Sequence, residues 1–117
     1  MTRFLLVCLG GAIGSGARYL VALSSVSAGF AFGTLIVNLL GSFAIAMVTE
    51  LVAPSDLRLF LATGVLGGFT TYSAFNQETM EVLRNGAWGT AMLNVVVTVA
   101  GCMAAGFVGV IVARMVR

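Results

Sequence analysis

The chain has 117 residues, of which 60% are apolar and only 9% are charged. Soluble domains carry about 25% charged residues, so this composition excludes an ordinary soluble domain and indicates a protein embedded in lipid. The length predicts one domain over residues 1–117, with no appended soluble module. The net charge of +2 is too small to indicate nucleic-acid binding, and the lack of His excludes a His-based metal site, proton relay or catalytic base.

Four apolar segments alternate with short polar connections. About 20 helical residues cross about 30 Å of hydrocarbon, and each segment has roughly that length, so we predict an all-α membrane protein with four transmembrane helices. The segments cover residues 4–23, 32–52, 57–83 and 88–112. The connections cover residues 24–31, 53–56 and 84–87. Pro54 lies in the second connection, where it ends one helix without breaking another.

Positive charge is divided almost evenly between the two sides of the predicted bundle. An even number of spans places both termini on one side, together with Arg3, Arg58, Arg114 and Arg117. Arg84 and Arg18 lie toward the opposite side. This small excess favours cytoplasmic termini only weakly, and it is compatible with insertion in both orientations.

Glycine is the second compositional signal, with 15 residues in the chain. Small residues let helix backbones approach closely in lipid, so most glycines inside the spans are predicted to pack helices. They are Gly10, Gly11, Gly14, Gly16, Gly41, Gly101, Gly106 and Gly109. Four short helices do not enclose a wide aqueous pore by themselves, so we expect the chain to associate with a partner.

The third segment is unusual because Gly67 and Gly68 lie near its middle and are followed by Thr70 and Thr71. Each glycine weakens a helix by about 1 kcal/mol, and a threonine can cap a new helix. These residues predict a helix broken over residues 67–71, with a simple glycine kink as the alternative. Broken helices in transporters present backbone carbonyls to cations, so backbone carbonyls and a Thr oxygen are candidate ligands for Na⁺.

Polar and aromatic side chains inside the spans are candidates for an ion pathway, because they are costly in lipid. Tyr72 and Phe75 share a helix face, and the positive edges of their rings suit a dehydrated anion; ordinary packing is the alternative. Ser73 belongs to a polar strip beside them. The Asn38 amide, near the middle of the second span, donates two hydrogen bonds, which suit either an anion or adhesion between helices.

Charged and polar residues nearer the ends of the spans form a second set. Arg18 either extends to the headgroups or raises the anion concentration at a pore mouth. Glu78 lies one turn beyond Phe75. Asn94 and Thr98 give only a weak indication of a polar lining in the fourth span.

Three motifs of this chain resemble the Fluc/CrcB family of fluoride channels. They are GGAIGSGAR at residues 10–18, GTLIVN at residues 33–38 and GGFTTYSAF at residues 67–75. The resemblance covers nearly the whole chain and implies a dual-topology dimer, in which two antiparallel subunits form two narrow pores. It also implies a central structural Na⁺ at the subunit interface.

The resemblance further implies a role for each matching residue. It implies the backbone carbonyls of Gly67 and Thr70 as the Na⁺ ligands. It implies pore-lining roles for Asn38, Tyr72, Ser73 and Phe75, and positions near the pore mouths for Arg18, Thr34 and Glu78. The chain departs from the usual family pattern by having Tyr72 in place of Phe, Ala74 in place of Thr and Asn76 in place of Ser.

We therefore interpret the chain as a passive, fluoride-selective channel that exports cytoplasmic fluoride through the inner membrane, and not as an enzyme. The expected partners are fluoride, the lipid bilayer, and a second copy of the chain or a paralogous chain, without nucleic acid. One alternative is a small dual-topology proton-coupled transporter, which needs an embedded carboxylate, ideally in the first span, where this chain has no acid. The other is a non-transporting membrane scaffold, in which Asn38 and the glycines only pack helices.

Overall fold

A computed structural model describes residues 1–24 and 32–117, so most of the predicted connection over residues 24–31 lies outside the described residues. Within these two ranges the chain forms helices and no strands. The helices are α1 (Thr2–Ser24), α2 (Phe32–Leu51), α3 (the consecutive pieces Asp56–Arg58, Leu59–Leu66 and Gly67–Phe69), α4 (Tyr72–Arg84) and α5 (Trp88–Val116).

Three helices are long and apolar enough to cross a membrane, namely α1, α2 and α5, with 23, 20 and 29 residues and mean hydropathies of 1.6, 1.9 and 2.5. The third predicted span is formed by α3 and α4 together. The chain is therefore a multi-pass, all-α membrane protein with four transmembrane segments, as predicted. Pro54 lies between α2 and α3, outside the helices, and α5 continues past the predicted end at residue 112 to Val116.

Glycines bring the helix backbones into direct contact. Where α1 lies along α3, a Cβ atom on Gly10 would be 2.7 Å from the Phe60 carbonyl oxygen. Where α2 lies along α5, a Cβ atom on Gly109 would be 2.6 Å from the Phe43 carbonyl oxygen. The predicted packing role is confirmed at these positions. Gly16 is an exception within the described chain, because a Cβ atom there would meet no described atom within 4 Å.

The central piece of α3, Leu59–Leu66, is wound as a π-helix. At its end, the Gly67 N–H donates to the Ala62 carbonyl, five residues earlier. Such wide turns are rare in proteins and frequently occur next to functional sites. Here the wide turns lead directly to the point where the span is interrupted.

The third span is broken at Thr70 and Thr71, whose backbones are extended (φ −75°, ψ 153° and φ −150°, ψ 117°). The predicted break is confirmed, but its predicted extent over residues 67–71 is too long, because Gly67 and Gly68 are still helical. A Cβ atom on Gly68 would be 2.6 Å from the Gly11 carbonyl oxygen. Gly68 therefore serves close packing against α1, and this contact outweighs the modest intrinsic cost of glycine in a helix.

Candidate functional site

The break in the third span is held by the side chain of Asn38, on α2. Asn38 Nδ2 donates to the Thr71 carbonyl oxygen at 3.0 Å, and Asn38 Oδ1 accepts from the Thr71 N–H at 2.8 Å. In a continuous α-helix that N–H would bond to the Gly67 carbonyl. Both Asn38 and Thr71 are buried, where unpaired backbone groups are costly. The carboxamide therefore supplies the acceptor that the Thr71 N–H loses at the break and adds a donor to the Thr71 carbonyl.

Thr71 also begins the second half of the span. Its hydroxyl oxygen accepts from the Ala74 N–H at 3.2 Å, which is the usual geometry of a helix N-cap. The predicted threonine cap is thus present at Thr71. The hydroxyl of Ser73, an exposed residue, lies 3.2 Å from the same oxygen. The extended chain is consequently fixed from α2 on one side and from α4 on the other.

The break leaves the four backbone carbonyls of residues 67–70 without helical partners, and of these the Gly68 carbonyl accepts from Ser15 Oγ at 3.4 Å. Asn38 takes the N–H that would otherwise bond to Gly67, and in the part of the chain that the structure describes neither the Gly67 nor the Thr70 carbonyl oxygen accepts a hydrogen bond. Gly67 is exposed on the surface of the single chain. Free carbonyl oxygens at membrane depth need a partner, and they suit a hard cation. The residues present therefore fit the expected Na⁺ ligands.

A cavity of about 330 Å³, which we call the first groove, lies beside the break. Its lining includes Asn38, Thr71, Tyr72, Phe75, Thr98 and Cys102. Every described residue that lines the first groove is uncharged. The groove therefore offers amide and hydroxyl groups together with aromatic rings, and no fixed charge from the described chain.

The two aromatic rings of the first groove are in contact. The ring centroids of Tyr72 and Phe75 are 5.6 Å apart, and the rings are tilted by 56°. Phe75 is 7% exposed, whereas Tyr72 is 78% exposed, so Phe75 is enclosed by the chain and Tyr72 stands at its surface. The predicted shared face is confirmed, and the tilt is in the range that aromatic pairs favour.

A second cavity, of about 300 Å³, contains the predicted pore-mouth residues. Arg18, Thr34 and Glu78 all line this second groove. The Thr34 hydroxyl donates to Glu78 Oε1 at 2.6 Å, which fixes the carboxylate against α2. Thr71 lines both cavities, so the two grooves meet at the break.

The predicted site residues thus fall into two groups. Asn38, Tyr72 and Phe75 lie together in the first groove. Arg18, Thr34 and Glu78 lie together in the second groove. Ser73 is outside the lining of both grooves and touches them only through the Thr71 hydroxyl.

A polar chain between α4 and α5 contains Thr79, which is not among the predicted site residues. The Thr79 hydroxyl donates to the Phe75 carbonyl at 2.7 Å and accepts from Asn94 Nδ2 at 2.9 Å. Thr98 in turn donates to Asn94 Oδ1 at 3.4 Å. The sequence carries one signal for this role, because Thr79 follows Phe75 by one helical turn and shares its face. These hydrogen bonds position Phe75 and bring Thr98 into the first groove.

Comparison with known proteins gives consistent similarities along the chain. A family model described as CrcB-like protein, Camphor Resistance (CrcB), matches residues 5–110. A protein of Anaeromyxobacter dehalogenans (strain 2CP-1 / ATCC BAA-258) named Fluoride-specific ion channel FluC is 51% identical over 97% of both chains. Proteins of the same name from Sorangium cellulosum (strain So ce56) and Agrobacterium fabrum (strain C58 / ATCC 33970) are 44% and 42% identical over 97% of this chain and 96% and 98% of theirs.

Proposed function

The chain belongs to the CrcB family, and from this premise we propose that it is a fluoride-selective channel through which cytoplasmic fluoride leaves passively across the inner membrane. The name of the relatives, Fluoride-specific ion channel FluC, supports fluoride as the permeating ion. The observation that carries the proposal is the uncharged first groove, which meets the second groove at the broken backbone of Thr71.

The first groove suits a small anion that has lost water. An amide nitrogen carries two hydrogens, and Asn38 uses one of them on the Thr71 carbonyl, so its second hydrogen is free for an ion. The ring edges of Tyr72 and Phe75 add weak positive potential. A narrow pathway conducts when binding is strong enough for entry and weak enough for exit, and neutral donors meet that requirement better than a buried cation.

The second groove provides an approach to this pathway. Arg18 lies in it as a half-buried cation, and a positive charge in a cleft raises the local concentration of anions. Thr34 and Glu78 lie in the same groove, joined by their short hydrogen bond. We assign this groove to the pore mouth, before the ion reaches the break.

The proposal includes a dual-topology dimer held around a structural Na⁺. Gly67 is exposed, and the Gly67 and Thr70 carbonyls have no described hydrogen-bond donor, so a second copy or a paralogous chain can approach the break and share one cation. The carbonyl oxygens of Gly67 and Thr70 would hold the Na⁺, which would supply the positive partner that the described residues do not. The weak asymmetry of the arginines supports insertion in opposite orientations.

Passive export needs no chemical step and no energy source. Hydrogen fluoride enters cells as a neutral molecule and dissociates in a near-neutral cytoplasm, and the channel returns the trapped anion down its gradient. The sequence contains no phosphate-binding loop that would couple transport to a nucleotide. We therefore propose a channel without catalytic activity.

Fluoride efflux from liposomes tests the proposal. Liposomes that contain the purified protein are loaded with KF or KCl in buffers that also contain Na⁺ on both sides, a K⁺ ionophore is added, and efflux is followed with ion-selective electrodes. We expect rapid loss of fluoride and retention of chloride. Equal efflux of both ions, or efflux that appears only with a proton gradient and an organic cation, would contradict a passive fluoride channel.

The variant Phe75→Ile separates a channel from a scaffold in the same assay. Phe75 is nearly buried beside the first groove, so Ile keeps an apolar side chain there but removes the ring edge. We expect the variant to assemble and to lose most fluoride efflux, whereas Phe107→Ile on the exposed surface of α5 keeps the wild-type rate. Full efflux from Phe75→Ile would contradict a pore-lining role for Phe75, whereas the absence of efflux from the wild type and both variants, with the protein intact, would favour the scaffold.

A further inference from the structure

A cavity of about 510 Å³ lies at the end of the bundle where α1 begins, α2 ends and α3 begins. Its lining includes Arg3, Ser55, Asp56, Arg58 and Thr63. None of these five residues lines the first or the second groove. The cavity, which we call the terminal cavity, is therefore separate from the proposed pathway for fluoride.

The charges of the terminal cavity leave one cation without a partner. Arg3 Nε bonds to Asp56 Oδ1 at 2.9 Å, so these two charges offset each other. Arg58 is half-buried and forms no ion pair with the described residues. A guanidinium group presents a planar fork of N–H donors that matches phosphate oxygens. The free Arg58 consequently gives the terminal cavity a net preference for an oxyanion.

Hydroxyl groups add neutral donors to the same cavity. The Ser55 hydroxyl oxygen accepts from the Arg58 N–H at 3.2 Å, which leaves the hydroxyl hydrogen available for an anion. The same hydrogen bond fixes the start of α3. The position of the Arg58 backbone is therefore set before any ligand binds.

The position of the terminal cavity identifies the source of the oxyanion. The cavity lies at the ends of three spans, which is the level of the lipid headgroups. Leu51 and Leu57 border the loop and are 43% and 58% exposed, so apolar surface for acyl chains adjoins the polar cavity. Basic pockets at this level of a membrane protein suit anionic headgroups.

We propose that the terminal cavity binds the phosphate of an anionic phospholipid, with Arg58 as the principal ligand. Ser55 donates a neutral hydrogen bond to the same phosphate. Asp56 weakens the site by holding Arg3 and by repelling the anion. The site anchors the loop between α2 and α3 in the headgroup layer, and it operates independently of fluoride permeation.

Lipid retention by the full chain tests this site. The protein is purified in detergent, mixed with phosphatidylglycerol or phosphatidylcholine, and the lipids that remain bound are counted by native mass spectrometry. We expect preferential retention of phosphatidylglycerol. Arg58→Gln should lower that retention about fivefold, because one arginine near an anionic lipid contributes about 1 kcal/mol.

Two further variants separate the site from general charge effects. Arg84→Gln removes the same charge at the exposed end of α4, outside the terminal cavity, and we expect it to leave retention nearly unchanged. Asp56→Asn should increase retention, which a misfolded protein would not do. Equal losses in Arg58→Gln and Arg84→Gln, or no preference over phosphatidylcholine, would overturn the site. Displacement of the lipid by equimolar inorganic phosphate would show a free-anion site instead.

Discussion

At the scale of single residues, the position of Asn38 suits both of the functions that the sequence presents as alternatives. It joins α2 to the third span through two hydrogen bonds to Thr71, and it lines the first groove with one amide hydrogen still free. Adhesion between helices and contact with an anion are therefore compatible at this position. Asn38 therefore both lines the proposed pathway and stabilises the break beside it.

Replacing Asn38 by Ala should destabilise the protein by about 2 kcal/mol. The substitution leaves the buried Thr71 N–H without its acceptor and removes one donor from the Thr71 carbonyl, and an unsatisfied buried group costs about 1–3 kcal/mol. Unfolding by denaturant in detergent, followed by circular dichroism, measures the loss. Asn76→Ala, at an exposed amide of α4, is the matched control and should change stability by less than about 0.5 kcal/mol. Equal stability of the two variants would refute the structural role of Asn38.

Tyr72 shows how a departure from the usual family pattern is accommodated. The side chain is 78% exposed in the single chain, so the described residues leave its hydroxyl uncovered. The ring keeps its contact with Phe75 at a centroid distance of 5.6 Å. The additional hydroxyl is therefore presented outward from the aromatic pair.

At the scale of secondary structure, hydropathy is sufficient to locate the spans but not the extent of the break. The helices begin and end close to the predicted bounds because continuous apolar length is a strong signal. The end of α3 depends instead on the hydrogen bond that the Thr71 N–H donates to the side chain of Asn38, a residue 33 positions away. Glycine propensity carries no information on that contact, and it predicts unwinding at Gly67 and Gly68, which are helical.

The difference between local signals and contacts between distant residues also explains which site residues are predictable. Tyr72 and Phe75 are found from their spacing, because a helix face is a local property. The contact between Thr34 and Glu78 joins α2 to α4, and local spacing does not reveal it; these residues are predicted through the family resemblance. Thr79 is missed because its bond to Asn94 depends on how α4 packs against α5.

Replacing Gly68 by Ala should destabilise the protein by about 1–3 kcal/mol. The new Cβ would be 2.6 Å from the Gly11 carbonyl oxygen, and overpacking against backbone forces the helices apart. The control is Gly16→Ala, where the described chain leaves open space around the Cβ and where Ala favours the helix by about 0.5–1 kcal/mol. We expect the unfolding midpoint to fall in Gly68→Ala and to rise in Gly16→Ala. A stabilised Gly68→Ala would contradict the close packing of Gly68 against α1.

At the scale of the whole molecule, one chain presents an incomplete structure at its break. Gly67 is exposed, and two carbonyl oxygens have no donor from the described residues. A partner in the opposite orientation would bring the same features against them. In the proposed dimer, the Gly67 and Thr70 carbonyls would hold the Na⁺, and each copy would keep its own pair of grooves.

The central claim is that the break at Thr70 and Thr71 is a working part of a fluoride channel, and the dependence of fluoride efflux on Na⁺ tests it most directly. The protein is purified and reconstituted with K⁺ as the only alkali cation, and efflux is measured before and after Na⁺ is added on both sides. Because a ligand stabilises the state that binds it, we expect little efflux without Na⁺ and recovery when Na⁺ is supplied. Fluoride efflux at the same rate with and without Na⁺ would contradict the claim.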